Sequence, residues 1–194
     1  KLGAIQQFIG DVEWGGLDYL IIDFPPGTSD EPLTVAQNLP DIDGMVIVTT
    51  PQDVALLDSR KSITFANSLK VDVIGVVENM SGYTIRGKAP AGTAIELAAP
   101  GGKTIKLTTD ENGDWAGTLD IFKAGGGERT ANDFGVPFLG KLPFDPGFVR
   151  GGDDGVHRIV SEPEGESSVA FAKVVTEIQD IVESGSNGPG LEII

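Results

Sequence analysis

Apolar positions recur along this chain with two different periods. In residues 4–14, Ile5, Phe8, Ile9 and Val12 fall at helical spacing. Leu17-Asp18-Tyr19-Leu20-Ile21-Ile22-Asp23-Phe24 is a nearly continuous apolar run stopped by Pro25-Pro26-Gly27, which predicts a strand buried in a parallel sheet. Residues 31–39 predict a short helix closed by Pro40, and residues 44–50 a second strand ended by Pro51. Residues 53–69 predict a long helix and the valine-rich residues 71–80 a third strand. From 84 to 120 the alternation becomes two-fold. Ala94-Ile95-Glu96-Leu97 and Thr104-Ile105-Lys106-Leu107-Thr108 flank Pro100-Gly101-Gly102, a hairpin signal. Residues 110–114 predict a second turn, and 115–119 a further strand. The helical rhythm returns at 127–134, followed by a strand at 136–140 and a loop at 151–155. A last helix over 168–183 carries Phe171, Val174, Val175, Ile178, Ile181 and Val182 on one face. Ser184 onward predicts a frayed tail.

Strands separated by helices predict an α/β fold, a parallel sheet with helices on both faces. Ligands on such sheets gather at the carboxyl ends of the strands. Chemistry is therefore expected in residues 23–30, 49–53, 78–81 and 142–145.

Composition narrows the function classes. The 194 residues suffice for one domain, and 40% apolar content allows an ordinary core. The net charge of −15 argues against a nucleic-acid backbone or an anionic membrane as partner, since both repel it. With no cysteine, the chain has no disulfide, no thiolate zinc site, no cysteine nucleophile and no thiolate of its own for an iron–sulfur cluster. The one histidine, His157, leaves a single candidate base for a triad, and Ser29 and Ser81 show no base partner. No apolar run approaches the roughly 18 residues of a membrane helix, and no signal peptide is visible. A chain opening on Lys1 rather than Met is expected of a piece of something longer.

Asp23 at a strand's carboxyl end, followed closely by Gly27, has two readings. It could hold Mg²⁺ or its water shell while the glycine N–H approaches a terminal phosphate. It could equally be a polar strand end before a proline turn, which the bare spacing favours. Asp110, Asn112 and Asp114 have the odd-position spacing of a calcium loop, but Trp115 stands where the glycine belongs and Ile121 where the glutamate belongs. Gly102-Lys103-Thr104 imitates the end of a phosphate-binding loop, but Leu97 occupies the first glycine's place and the segment lies in a hairpin.

Four ordered blocks add a resemblance. Asp18-Tyr19-Leu20-Ile21-Ile22-Asp23-Phe24-Pro25-Pro26-Gly27-Thr28-Ser29-Asp30-Glu31 resembles the Walker B and switch II stretch of the Mrp/ApbC-like iron–sulfur cluster carrier ATPases, within the MinD/ParA group of P-loop proteins. Residues 48–58, the block Gly75-Val76-Val77-Glu78-Asn79-Met80-Ser81-Gly82-Tyr83, and residues 121–128 with 135–143 resemble the segments that follow it. The resemblance implies a P-loop NTPase-like fold, incomplete at the N-terminus, carrying an inserted β-hairpin segment. Its divisions would be 1–83 and 121–185 as core, 84–120 as the β-rich insertion, and 186–194 as a flexible tail. It implies ATP and Mg²⁺ as cofactors, with Asp23 in the outer sphere of Mg²⁺ and Gly27 donating to the γ-phosphate. Residues 25–30 would form the moving switch, placing Pro25, Pro26 and Thr28 beside the nucleotide and Asp30 among the catalytic residues. Asn79 would read the adenine edge, for which a paired donor and acceptor suits, and Pro143 and Asp145 would pack beside the base.

Two departures follow. The family's glycine-rich phosphate loop lies upstream of the Asp23 strand and has no counterpart in these residues, so no ATPase activity is expected of this chain alone. The short Cys-x-x-Cys loop that bridges a cluster between two subunits is replaced by residues 84–120, part of which resembles a bacterial immunoglobulin-like repeat. The leading expectation is the C-terminal part of a cytoplasmic, homodimeric ATPase in which ATP hydrolysis gates cluster transfer to apo iron–sulfur proteins. The alternative is a MinD/ParA-like binding module that carries no cluster and docks a partner through the β insertion.

Overall fold

The structure, a computed structural model, describes residues 2–25, 30–39 and 41–185. Pro26, Gly27, Thr28, Pro40 and the expected tail over 186–194 lie outside these residues. Three parallel strands form the sheet: β1 (Met45–Thr49), β2 (Val73–Glu78) and β7 (Phe138–Lys141), in the order β1-β2-β7. The central strand β2 is buried along almost its whole length, as its unbroken apolar sequence requires. β1 and β2 end level with each other, Thr49 opposite Glu78.

Helices cover both faces. α3 (Asp53–Leu69) and α4 (Gly126–Phe134) enclose a cluster of Ile47, Ile63, Val76 and Ala131. α7 (Glu166–Gly185) encloses Ile74, Val77, Leu139 and Val174, with Ile178, Ile181 and Val182 alongside. α3 starts with Asp53 in its first turn and ends at Lys70, whose left-handed conformation returns its N–H to the carbonyls of Ala66 and Asn67. α1 (Leu2–Gly10) and α2 (Asp30–Asn38) pack on each other. α5 (Pro146–Asp154) and α6 (Arg158–Ser161) lead into α7.

Between β2 and α4 lies a small antiparallel unit. β3 (Tyr83–Lys88) pairs with β6 (Asp114–Leu119), and β4 (Ala94–Ala99) pairs with β5 (Lys103–Thr108). The hairpin turn is the expected Pro100–Gly102, so Gly102-Lys103-Thr104 belongs to a turn and strand, not to a phosphate loop. The unit closes through Gly117, where a Cβ would come within 2.7 Å of Leu107 and 3.0 Å of Leu97. Asp110 Oδ1 accepts from the N–H groups of Asn112 and Asp114, a solvated turn rather than a calcium loop.

Three expectations need correction. Residues 17–24 form no strand; they are irregular, with a bend at Asp18, and pair with no strand, and Ile21 is 90% exposed. An apolar strand is stable only with a hydrogen-bonded neighbour, and among the described residues the outer edge of β1 carries none. Residues 151–154 belong to helix α5 instead of a loop, and Gly155 is its left-handed C-cap. Asp145 caps this helix and Pro146 opens it, and these start signals outweigh the helix-weakening Gly147, Gly151 and Gly152. β3 was not anticipated as a separate strand, since Gly87 breaks its apolar pattern. There the ring of Trp115 on β6 fills the space a side chain would take, 2.5 Å from where a Cβ would stand.

Candidate functional site

The carboxyl ends of β1, β2 and β7 converge on residues 78–82. Asn79 donates its N–H to the Thr49 carbonyl (2.7 Å), and Ser81 to the Leu142 carbonyl (2.9 Å). Leu142 donates back to the Glu78 carbonyl (2.8 Å), and Phe144 to that of Gly82 (2.7 Å). Residues 78–82 are thus stitched to the end of β1 on one side and to residues 142–144 on the other. The rings of Tyr83 and Phe122 both meet Phe144 edge-on.

Asn79 is half-buried at this junction. Its Oδ1 accepts from the Met80 N–H (2.8 Å), and Met80 sits in the left-handed region at φ 55°. The amide NH₂ of Asn79 has no partner among the described residues. A carboxamide fixed at one end with a free donor at the other can recognise a base edge.

Glu78 is fully buried at the end of β2. Its Oε1 accepts from Ser81 Oγ (2.5 Å) and the Gly125 N–H (3.1 Å), and its Oε2 from the Gly127 N–H (2.7 Å). The carboxyl group therefore fills the N-terminus of α4. Gly125-Gly126-Gly127 resembles a phosphate-cradling turn in sequence, but the N–H groups of Gly125 and Gly127 are taken from within by Glu78. The glycines are sterically required: a Cβ on Gly126 would lie 2.7 Å from the Pro51 carbonyl oxygen, and one on Gly127 would lie 2.9 Å from Glu78 Cβ. Sequence reasoning placed chemistry in residues 78–81 but gave Glu78 no role; the available signal was a carboxylate ending an apolar strand in a chain with a later glycine triplet.

Pro143 follows β7 within the stitched segment. Asp145 turns away to cap α5, accepting from the Gly147 N–H (2.7 Å) and from Arg158 Nε (3.3 Å). Burial pushes the Asp145 carboxyl upward, but the Gly147, Ser167 and Arg158 hydrogen bonds outweigh it, and the group titrates below the usual carboxylate value. Asp53 at the start of α3 is ion-paired with Lys123, and that hydrogen bond lowers its carboxyl pKa. This pair ties the loop after β1 to the loop before α4. Sequence reasoning missed it too, because no local pattern links residues 70 positions apart.

Asp23 is exposed and has no hydrogen-bond or ion-pair partner among the described residues. Pro25 is also exposed, and Asp30 opens α2. The structure brings Asn79 and Pro143 into one stitched segment; no hydrogen bond or ion pair links Asp23 to them. Among the described residues no group of three or more His, Cys, Asp or Glu could hold a metal ion, and the sequence holds no thiolate. The chain's own donor set therefore does not fit an iron–sulfur cluster. No helix among these residues is long and apolar enough to cross a membrane.

Comparison with known proteins supplies a family. The model described as ParA, NUBPL iron-transfer P-loop NTPase, matches residues 1–96 and 109–179. The "iron-sulfur cluster carrier protein" of Methanocaldococcus jannaschii is 41% identical over 181 residues, covering 93% of this chain and 52% of that protein. The protein of the same name from Saccharolobus solfataricus is 39% identical over 184 residues, covering 95% and 53%. The chain thus spans about half the length of the curated relatives it matches. Among solved structures, a nucleotide-binding protein of Archaeoglobus fulgidus in complex with ADP, in which cobalt was found, superposes with a TM-score of 0.55 at 33% identity, covering 79% of this chain and 52% of that one. The septum site-determining protein MinD of Pyrococcus horikoshii, complexed with Mg-ADP, superposes with a TM-score of 0.59 at 17% identity over 97% of this chain and 60% of that one, a likeness of fold.

Proposed function

The chain belongs to the ParA family of NUBPL-type iron-transfer P-loop NTPases, and on that premise we propose that it supplies the base-reading and switch portion of an ATP-dependent iron–sulfur cluster carrier. The observation that carries this reading is Asn79, pinned at the carboxyl end of the central strand with its amide donor unengaged. In this role Asn79 reads the adenine edge, and Pro143 with the segment up to Asp145 lies beside the base. Asp23 holds Mg²⁺ through water, and Gly27 donates its N–H to the γ-phosphate. Pro25, Pro26, Thr28 and Asp30 belong to the switch between them. Bound Mg²⁺ supplies charge neutralisation at the phosphates. The complete protein binds ATP between two subunits in the cytoplasm, and the switch couples hydrolysis to transfer of a cluster to apo iron–sulfur proteins. The cluster is cargo here. This chain holds no cysteine, so the cargo's ligands come from outside it.

A second reading is favoured by one observation. Residues 97–108, in the β4–β5 hairpin, fall outside the family match in a chain without cysteine. In that reading the β unit docks a partner and no cluster is carried.

Two titrations test the proposal. Adenosine added to the ¹⁵N-labelled chain is expected to shift the Asn79 side-chain amide more than guanosine does; equal or absent shifts defeat the base-reading role. With Mg-ATP the chain alone is expected to release no phosphate above background, because no phosphate-binding loop lies within it, and measurable turnover would defeat that expectation.

A further inference from the structure

A fully buried carboxyl group that no step above employs lies one residue from the proposed base reader. We infer that Glu78 is the positioning residue for Asn79: it locks the 79–81 turn onto the N-terminus of α4 and so fixes the direction of the Asn79 amide. The inference rests on the base-reading role of Asn79.

Three constraints meet at this turn. Backbone bonds hold Asn79 to Thr49 and Ser81 to Leu142. Those two bonds fix the backbone path but leave a strained residue between them, because Met80 has φ 55°. The third constraint is the Glu78 carboxyl group. Through Ser81 Oγ it holds the far end of the turn, and through the N–H groups of Gly125 and Gly127 it is itself held by α4. The Asn79 Oδ1 bond to the Met80 N–H exists only while that turn is kept. Glu78 thus acts on the base at one remove, without touching it. An acceptor with two oxygens is needed, since three donors converge on it and two of them are backbone. A carboxamide presents one oxygen, and its NH₂ would face an N–H donor.

Glu78→Gln and Ser81→Ala in the full 194-residue chain test this, read by amide exchange and by adenosine titration. In Glu78→Gln the Met80 amide is expected to exchange about tenfold faster relative to Val76 and Val77, the cost of roughly one hydrogen bond. The Asn79 side-chain amide signal moves, and the preference of its shift for adenosine over guanosine shrinks. Ser81→Ala, which leaves Glu78 bonded to α4, is expected to change the same signals in the same direction by less, and it decides the matter if Glu78→Gln does not fold. Unchanged Met80 exchange and an unmoved Asn79 signal in a folded variant would overturn the inference even where adenosine still binds. A parent chain that ignores adenosine while Glu78→Gln frees Met80 would instead overturn the base-reading role and leave Glu78 as a positioning group without a ligand.

Discussion

Asp145 shows how one residue can carry a structural task that its motif does not announce. The resemblance implies a place beside a base, and in the fold its carboxylate caps α5 and pairs with Arg158, itself bonded to Glu162. Both partners of the Asp145–Arg158 pair are largely shielded, at 18% and 24% side-chain exposure, so the pair escapes the screening that makes surface pairs nearly worthless. Asp145→Asn keeps the cap, because asparagine caps as well as aspartate, and removes only the charge. At pH 7 it is expected to cost about 1–2 kcal/mol. The folded carboxyl titrates below its unfolded value of about 3.9, so its contribution is complete above that value and is lost as pH falls through the folded one. Urea midpoints of parent and variant should therefore keep their gap above about pH 5 and converge only as pH falls below about 4 and through the folded value; a gap that persists to the lowest pH at which the chain stays folded would mean that the charge is not what Asp145 contributes. The same contrast explains what was legible of the site. Asn79 could be proposed from the sequence because its neighbours Glu78, Met80 and Ser81 form a recognisable string. The work of Glu78 could not, because its partners Gly125 and Gly127 lie 47 and 49 residues away.

At the level of elements, periodicity served where each segment found its partner. α3 and β2 emerge with the expected character because the apolar stripe of one packs on the other: Ile63 and Val76 are both fully buried in one cluster. The segment 17–24 has the most strand-like sequence of the chain and is no strand, because pattern states what a segment could bury and pairing decides whether it does. Its Tyr19 instead donates to Glu183 on α7 (2.9 Å), which raises the tyrosine pKa. Two substitutions separate pattern from burial. Ile21→Lys, at 90% exposure, is expected to change the stability of this chain by no more than about 0.5 kcal/mol. Ile63→Ala, at 0% exposure, is expected to cost about 2–5 kcal/mol. Denaturant titration of both variants gives the answer, and a cost for Ile21→Lys near that of Ile63→Ala would mean that residues 17–24 are buried after all. α5 was misread for the opposite reason: three glycines hid a helix whose start is written in Asp145 and Pro146.

On the scale of the whole molecule, the β unit is attached narrowly, and only its residues 97–108 fall outside the family match. Its strands enter and leave at a cross-strand pair, Tyr83 opposite Leu119, so the chain ends it presents to the core are already neighbours, about 4.5–5.5 Å apart. Leu97 and Leu107 of the β4–β5 hairpin pack over Gly117 of β6. What ties the unit to the core beyond Tyr83 is polar: Thr84 and Arg86 both bond Glu166 at the start of α7, in a pair whose members are 63% and 52% exposed. Pairs that exposed contribute about 0–1 kcal/mol. The Tyr83–Phe144 contact survives any cut made beyond residue 83. Replacing residues 84–118 by a short glycine-containing turn is therefore expected to leave the α/β core folded, with its unfolding free energy within about 1 kcal/mol of the parent's. The denaturant slope should fall, because less surface is exposed on unfolding. Urea titration followed by far-UV circular dichroism reads both quantities. If the shortened chain loses cooperative unfolding, the unit is part of the fold's foundation; if it keeps it, the core carries the stitched segment around Asn79 by itself, and the β unit is free to serve contacts that the core does not make.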